Sequence, residues 1–173
     1  FQLGGSAFAQ SLGKIGKTAP TVKDSEYFVS AFNTIQELIE KDLILAGHDI
    51  SAGGMITALL EMNFGNPEGG LEINLDKIAE KDIIKILFSE NPGVLIQVKD
   101  KNSVEKILQN NGIGFSKIGR PCKERHILVK KDNAEYQFGI DYLRDVWFSS
   151  SYLLDRKQSG EKAAAARFNN YKE

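Results

Sequence analysis

Segments with a helical period and segments with a strand period interleave along this chain in an irregular order, and that order limits the folds open to it. Phe28, Phe32, Ile35, Leu38 and Ile39 recur every three or four positions. They define one apolar face of a long helix with Ser25 as N-cap candidate. Met55, Ile56, Leu59, Leu60 and Met62 continue into a second helix, ended by the turn-rich GNPEGG. A shorter helix opens at the glycine pair of GGSAFAQSLGK, carries Ala7, Phe8, Leu12 and Ile15, and stops near Gly16. LEINL alternates apolar and polar residues, the period of a half-buried strand. After the charged amphipathic IAEKDIIKILF, the run VLIQV is continuous and β-branched, which suits a strand buried on both faces. SVEKILQNNG reads as a helix with an Asn/Gly stop, and FSKIG, RHILVKK and EYQFGID complete the strands. KKDNAEYQ reads as a hairpin turning at Asp132 and Asn133. A doubly wound parallel sheet needs strict βαβ alternation, which is missing. The pattern predicts an α+β layered domain with a mixed, partly antiparallel sheet and helices packed on it, followed by a helical linker.

The 173 residues suffice for one domain with an appendage. Residues 1–145 are assigned to the domain and 146–173 to the linker, because the polar, alanine-rich end offers few groups to bury. Without an initiator methionine, the chain is expected to be cut from a longer polypeptide. With 22 basic against 23 acidic residues and a net charge of -1, nothing suggests nucleic acid. No apolar run has the length of a membrane span. The single cysteine, Cys122, allows no intrachain disulfide and no cysteine-based metal site, and a reducing cytoplasm fits best.

Two glycine-bearing turns stand at helix starts, LGGS at residues 3–6 and HDISAGG at residues 48–54. The first turn of a helix leaves backbone N–H groups unpaired, and glycine lets an anion approach them. Ser6 or Ser51 can add a hydroxyl donor. The plainer alternative is that the glycines serve turn geometry and Ser51 is an N-cap. Neither turn is a Walker loop or a dinucleotide fingerprint. His48 and Asp49 have the chemistry of an acid, a base or a metal carboxylate, but neighbours on an extended segment point to opposite faces and make a poor dyad. His126 sits in the predicted strand RHILVKK and reads as structural. Asp82 and Glu90 have no spacing that separates them from a solvated face. Cys122 has no signature of a reactive thiol. No catalytic residue and no metal ligand set is assigned.

GHDISAGGM resembles the His-Asp-x-Ser-Asp-Gly-Gly-Leu segment in the C-terminal domains of the aminoimidazole ribonucleotide synthetase superfamily. LGGSAFAQSLGKIG before it, LFSENPGVLIQV after it and the closing VWFSSSYLLDRKQSGEKAAAARFNNYKE are similar to the large-form phosphoribosylformylglycinamidine synthases of purine biosynthesis. The likeness spans essentially the whole chain and is to the second of the two C-terminal-type domains, with the closing helix leading toward a glutaminase domain. It implies a ligase that converts formylglycinamide ribonucleotide, glutamine and ATP to formylglycinamidine ribonucleotide, glutamate, ADP and phosphate. ATP and Mg²⁺ are then bound mainly outside this chain, and so is the glutaminase cysteine. The nucleotide-binding and glutaminase domains of the same polypeptide are the implied partners, with a phosphorylated ribonucleotide as substrate. The match places Gly4, Gly5, Ser6, His48, Asp49, Ser51, Gly53 and Gly54 on the cleft between domain types. Ala52 stands where the motif has aspartate, which removes a carboxylate, and Met55 replaces leucine. The alternative is a stand-alone anion- or partner-binding module of the same fold without catalysis.

Overall fold

The computed structural model describes residues 1–170. In chain order the elements are α1 (Ala7–Ser11), α2 (Ser25–Glu40), β1 (Ile44–Asp49), α3 (Gly54–Phe64), β2 (Gly70–Asn74), α4 (Ile83–Phe88) and β3 (Val94–Val98). They continue with α5 (Lys101–Asn110), β4 (Gly119–Cys122), β5 (His126–Lys131), β6 (Ala134–Gly139), α6 (Ile140–Ser159) and α7 (Glu161–Asn169). The architecture is α+β, as the interleaved periods predict, and the chain divides into two units. One comprises residues 1–59 and 78–117, the other residues 60–77 and 118–170.

In the first unit, aspartates set the helix starts. Asp24, one residue before the predicted cap, accepts the Tyr27 N–H at 2.9 Å, and Asp100 accepts from Asn102 and Ser103 at the head of α5. A carboxylate there satisfies orphan N–H groups and faces the positive end of the helix. The core of this unit gathers Leu38, Val104, Leu108 and Ile113, with Ala31, Ile35, Leu43, Ile96 and Val98 packed around them. Only part of the apolar face of α2 enters it: Leu38 is fully buried, whereas Phe28, Phe32 and Ile39 are exposed. Strands β1 and β3 pair antiparallel as a two-stranded sheet, with Asp49 opposite Val94. VLIQV is therefore not buried on both faces. Val94 and Gln97 are exposed and Leu95, Ile96 and Val98 half-buried, because β1 is its single partner strand and the core of α2 and α5 covers only part of it.

The second unit holds a four-stranded sheet in the order β4-β2-β5-β6. The β2 and β5 pair is parallel and the other two are antiparallel. Ile73, Ile127 and Val129 supply its buried face. The fourth strand begins only at Gly119, the last residue of the predicted FSKIG, and carries Pro121 on an edge, where a missing N–H costs no ladder bond. At the predicted hairpin Lys131 pairs with Ala134 and Asp132 takes φ 53°. The Asp132 N–H donates to Asp76 Oδ1 at 2.7 Å, and this bond, with that from Asn74, holds the Asp76 carboxyl below its usual range.

Helix α6 leaves β6 directly at Ile140, and α7 folds back on it. The prediction that residues beyond Gly160 offer little to bury is corrected here, with residues 171–173 lying outside the described residues. Ala164 is buried, and the Phe168 ring lies tilted against Tyr152 at 4.8 Å between ring centroids. Arg144, itself buried, donates to the Phe168 carbonyl at 3.1 Å and lies 4.9 Å and 5.7 Å from the ring centroids of Phe148 and Phe168. Arg167 closes the pair with a bidentate bond to Asp155, which lowers the Asp155 pKa. Small alanines let the helices approach, so a sequence poor in large apolar groups still packs. Arg144→Ala is expected to raise amide exchange over residues 161–170 about tenfold or more, since a hydrogen bond from a charged group and two ring contacts are lost together. Unchanged exchange would show that α7 docks without it.

Candidate functional site

The two glycine turns lie in the same unit, and each is built differently from what its sequence alone suggests. In the first turn the backbone donors are spent internally. The Gly4 N–H donates to Thr18 O at 2.9 Å, Gly5 to Ile15 O at 2.7 Å and Ser6 to Leu3 O at 3.2 Å. A Cβ on Gly4 would sit 2.4 Å from Thr18 O, so glycine is required there by the close approach of residues 15–18. Ser6 is fully buried; its hydroxyl donates to Leu3 O at 2.7 Å and accepts the Ala9 N–H at 3.2 Å. It is the N-cap of α1. Of the three residues proposed from this turn, Gly5 alone is exposed.

The second turn begins where β1 ends. Ile50 N–H donates to Gly93 O at 2.8 Å, and Gly54 N–H donates to the backbone oxygen of Ser51 at 3.0 Å. Gly53 and Gly54 take φ 86° and 76°, the left-handed region that favours glycine. Ser51 and Ala52 stand exposed at the head of α3, an eleven-residue helix, and Gly54 is buried. The Ser51 hydroxyl makes no hydrogen bond within the described residues. His48 is half-buried, and its Nδ1 faces the Asp49 backbone oxygen at 2.7 Å. A carbonyl only accepts, so this contact puts a ring proton on Nδ1. The Asp49 carboxylate lies 3.7 Å from the same nitrogen and is largely exposed, too far for a hydrogen-bonded dyad.

Residues 87–90 bring the two turns together. Glu90 Oε1 accepts the Ala7 N–H at 2.7 Å and the Gly53 N–H at 2.9 Å. Phe88 stacks on Phe8 at 4.7 Å, and Ser89 Oγ accepts the Gln2 N–H at 3.0 Å. A Cβ on Gly54 would lie 2.6 Å from Leu87 O and 2.7 Å from the Phe88 backbone. Sequence reasoning passed over Glu90, and no local signal marks it, because its partners lie 83 and 37 positions away. Burial and its contact with Glu124 push the Cys122 thiol pKa up, the reverse of what an activated nucleophile needs. Among the described residues no three His, Cys, Asp or Glu side chains gather as a metal site.

An α+β unit in which a strand runs into HDISAGG and a helix, backed by the SENPG segment, defines a C-terminal domain of the aminoimidazole ribonucleotide (AIR) synthetase type. The chain belongs to the family described as AIR synthase related protein, C-terminal domain, whose family model matches residues 2–131. Among similar proteins, a probable phosphoribosylformylglycinamidine synthase, chloroplastic/mitochondrial, of Arabidopsis thaliana is 35% identical over 161 residues, 91% of this chain and 11% of that protein. Phosphoribosylformylglycinamidine synthase of Homo sapiens is 30% identical over 170 residues, covering 95% of this chain and 13% of its own length. The chain thus spans about a tenth to an eighth of these two relatives. The structure of PurLQS from Thermotoga maritima superimposes with a TM-score of 0.62 over 81% of this chain and 24% of that one, at 18% identity. T. maritima PurL complexed with FGAR gives 0.58 over 66% of this chain and 20% of that one, at 19% identity. No helix among the described residues is long and apolar enough to cross a membrane.

Proposed function

We propose that this chain is the second AIR synthetase-type C-terminal domain of a large phosphoribosylformylglycinamidine synthase, a glutamine-dependent ligase of purine biosynthesis. Residues 1–145 form the domain and 146–173 the connection toward a glutaminase domain. The relatives it matches carry that name over nine-tenths or more of this chain's length. In the whole enzyme, ATP and Mg²⁺ are held mainly by other domains, and the reaction joins nitrogen from glutamine to formylglycinamide ribonucleotide at the expense of ATP. A single cysteine suits a reducing compartment such as the cytoplasm, although the plant relative is named for organelles.

The role assigned to this chain is to turn the HDISAGG segment toward a phosphorylated ribonucleotide. The observation that carries it is the exposed pair Ser51 and Ala52 at the head of an eleven-residue helix, with Gly53 and Gly54 in the left-handed region behind them. Backbone N–H groups and a hydroxyl at such a place attract an anion through hydrogen bonds and the helix dipole. Gly4, Gly5 and Ser6 contribute by shaping the adjoining wall, since their N–H groups are already bonded within the chain. His48 and Asp49 flank the turn and orient its entry. Ala52 removes the carboxylate of the family motif, and the Gly53 and Gly54 N–H groups are bonded to Glu90 and Ser51, so the exposed Ser51 hydroxyl carries the contact.

Ser51→Ala in the full-length enzyme is expected to raise KM for the ribonucleotide about tenfold with little change in melting temperature, the loss of one hydrogen bond to a charged group. Gly53→Val is harsher. Its Cβ would meet Thr57 Oγ1 at 2.3 Å at a φ of 86°, so kcat/KM is expected to fall about a hundredfold, with some loss of stability. If both variants keep the affinity of the parent, the segment only turns the chain.

A further inference from the structure

We propose that Glu90 is a positioning residue that couples the two glycine turns through one carboxylate oxygen. Oε1 receives the N–H of Ala7, the first residue of α1, and the N–H of Gly53, the residue before α3. Both donors sit at helix starts, where a negative charge is favoured by the local dipoles, and bonds to a carboxylate are stronger than those to a neutral acceptor. Three neighbouring contacts show that the whole segment is a strut rather than a loop that Glu90 happens to reach from. Phe88 stacks on Phe8, Ser89 bonds to Gln2, and the backbone of Leu87 and Phe88 lies against Gly54. The same four residues therefore grip both the first turn and the entry of α3.

The geometry has a direct consequence for the second turn. Gly53 has a positive φ and its carbonyl, in the peptide to Gly54, accepts from the Thr57 hydroxyl at 3.1 Å, while its N–H bond to Glu90 ties the preceding peptide from Ala52. With Glu90 in place, Ser51 and Ala52 are held outward. Without it, residues 51–53 lose their tie to the body of the unit, and the first turn of α1 loosens with them although 46 positions separate Ala7 from Gly53 in the chain. The coupling stands on the hydrogen bonds alone; its kinetic effect rests on the reading in which this turn faces the ribonucleotide.

Hydrogen exchange of the full-length protein, followed by mass spectrometry, tests the coupling with three variants. Glu90→Ala is expected to raise exchange about tenfold in peptides covering residues 3–12 and 47–58 together, leaving peptides from α5 unchanged. Glu90→Gln keeps an oxygen in the same place, so it is expected to restore most of the protection in both. Ala7→Pro removes one donor without touching Glu90. Proline is tolerated at the first helical position, and Ser6 before it already has φ -66° and ψ 156°, so the fold is retained. Exchange at 47–58 is expected to rise severalfold in that variant too, as Oε1 loses one of its two anchors. Protection that changes in only one segment, or that glutamine does not restore, overturns the proposal. In steady-state assays Glu90→Ala is expected to raise KM for the ribonucleotide about tenfold with kcat within about threefold of the parent. If exchange rises in both segments while KM stays put, the coupling stands and the phosphate-facing reading of the turn falls.

Discussion

Gly54→Ala is expected to destabilise the protein by about 4 kcal/mol or more, which places it among the most damaging single substitutions a chain of this size can carry. Two costs add. An L-residue held at a φ of 76° pays about 1–2 kcal/mol for the left-handed conformation. The added Cβ would also stand 2.6 Å from Leu87 O and 2.7 Å from the Phe88 backbone, where no side chain can swing away. Those backbone atoms are themselves held by the Ser89 and Glu90 bonds, so relief means breaking the strut. For a chain of this length the melting temperature should fall by roughly 8–16 °C. Gly5→Ala provides the comparison, since its φ is 74° but nothing lies within 4 Å of its Cβ. It should cost only the conformational part. Equal losses from the two variants, read by thermal melting, would refute the close approach of α3 to residues 87–88.

Leu38→Ala is expected to cost about 3 kcal/mol, within the range for a leucine removed from a packed core. Leu38 is fully buried among Val104, Leu108 and Ile113, and the surrounding residues come from α2, β3 and α5, so the cavity cannot close by moving one element. Phe32→Ala, on the same helix, should change stability by less than about 0.5 kcal/mol in this chain because Phe32 is mostly exposed. Urea unfolding of the two variants separates them. A loss at Phe32 as large as that at Leu38 would mean that the apolar face of α2 is buried along its whole length.

The contrast between Leu38 and Phe32 marks a boundary between two kinds of information. Periodicity in the amino-acid sequence alone determined that residues near 25–40 form an amphipathic helix, that LEINL, RHILVKK and the EYQFG part of EYQFGID are strands, and that Asp132 and Asn133 turn a hairpin, whereas Ile140 and Asp141 open α6 instead. Those outcomes depend on the side chains a residue meets within one or two turns of helix or across one short loop, which lie close in sequence. The motif HDISAGG with its flanking segments likewise pointed to the family, because the order of short motifs is a property of the chain itself.

Which part of an apolar face is covered is settled by elements that arrive from elsewhere in the chain. Phe28 and Phe32 have the same spacing as Leu38, yet only Leu38 meets α5 and β3. VLIQV has the composition of a doubly covered strand, but its single partner is β1. The closing helix packs through Ala164, Phe168 and the buried Arg144, a combination that no apolar stripe announces. Ser6, read as a hydroxyl donor to an anion, is buried because residues 15–18 fold against its turn. Glu90 is the clearest case. One acidic residue in a turn says nothing about its partners, and only the folded chain brings the Ala7 and Gly53 N–H groups to the same oxygen. Local periodicity and capping are encoded over a few residues, whereas burial and long-range hydrogen bonds are created when distant segments meet, and that meeting belongs to the tertiary structure.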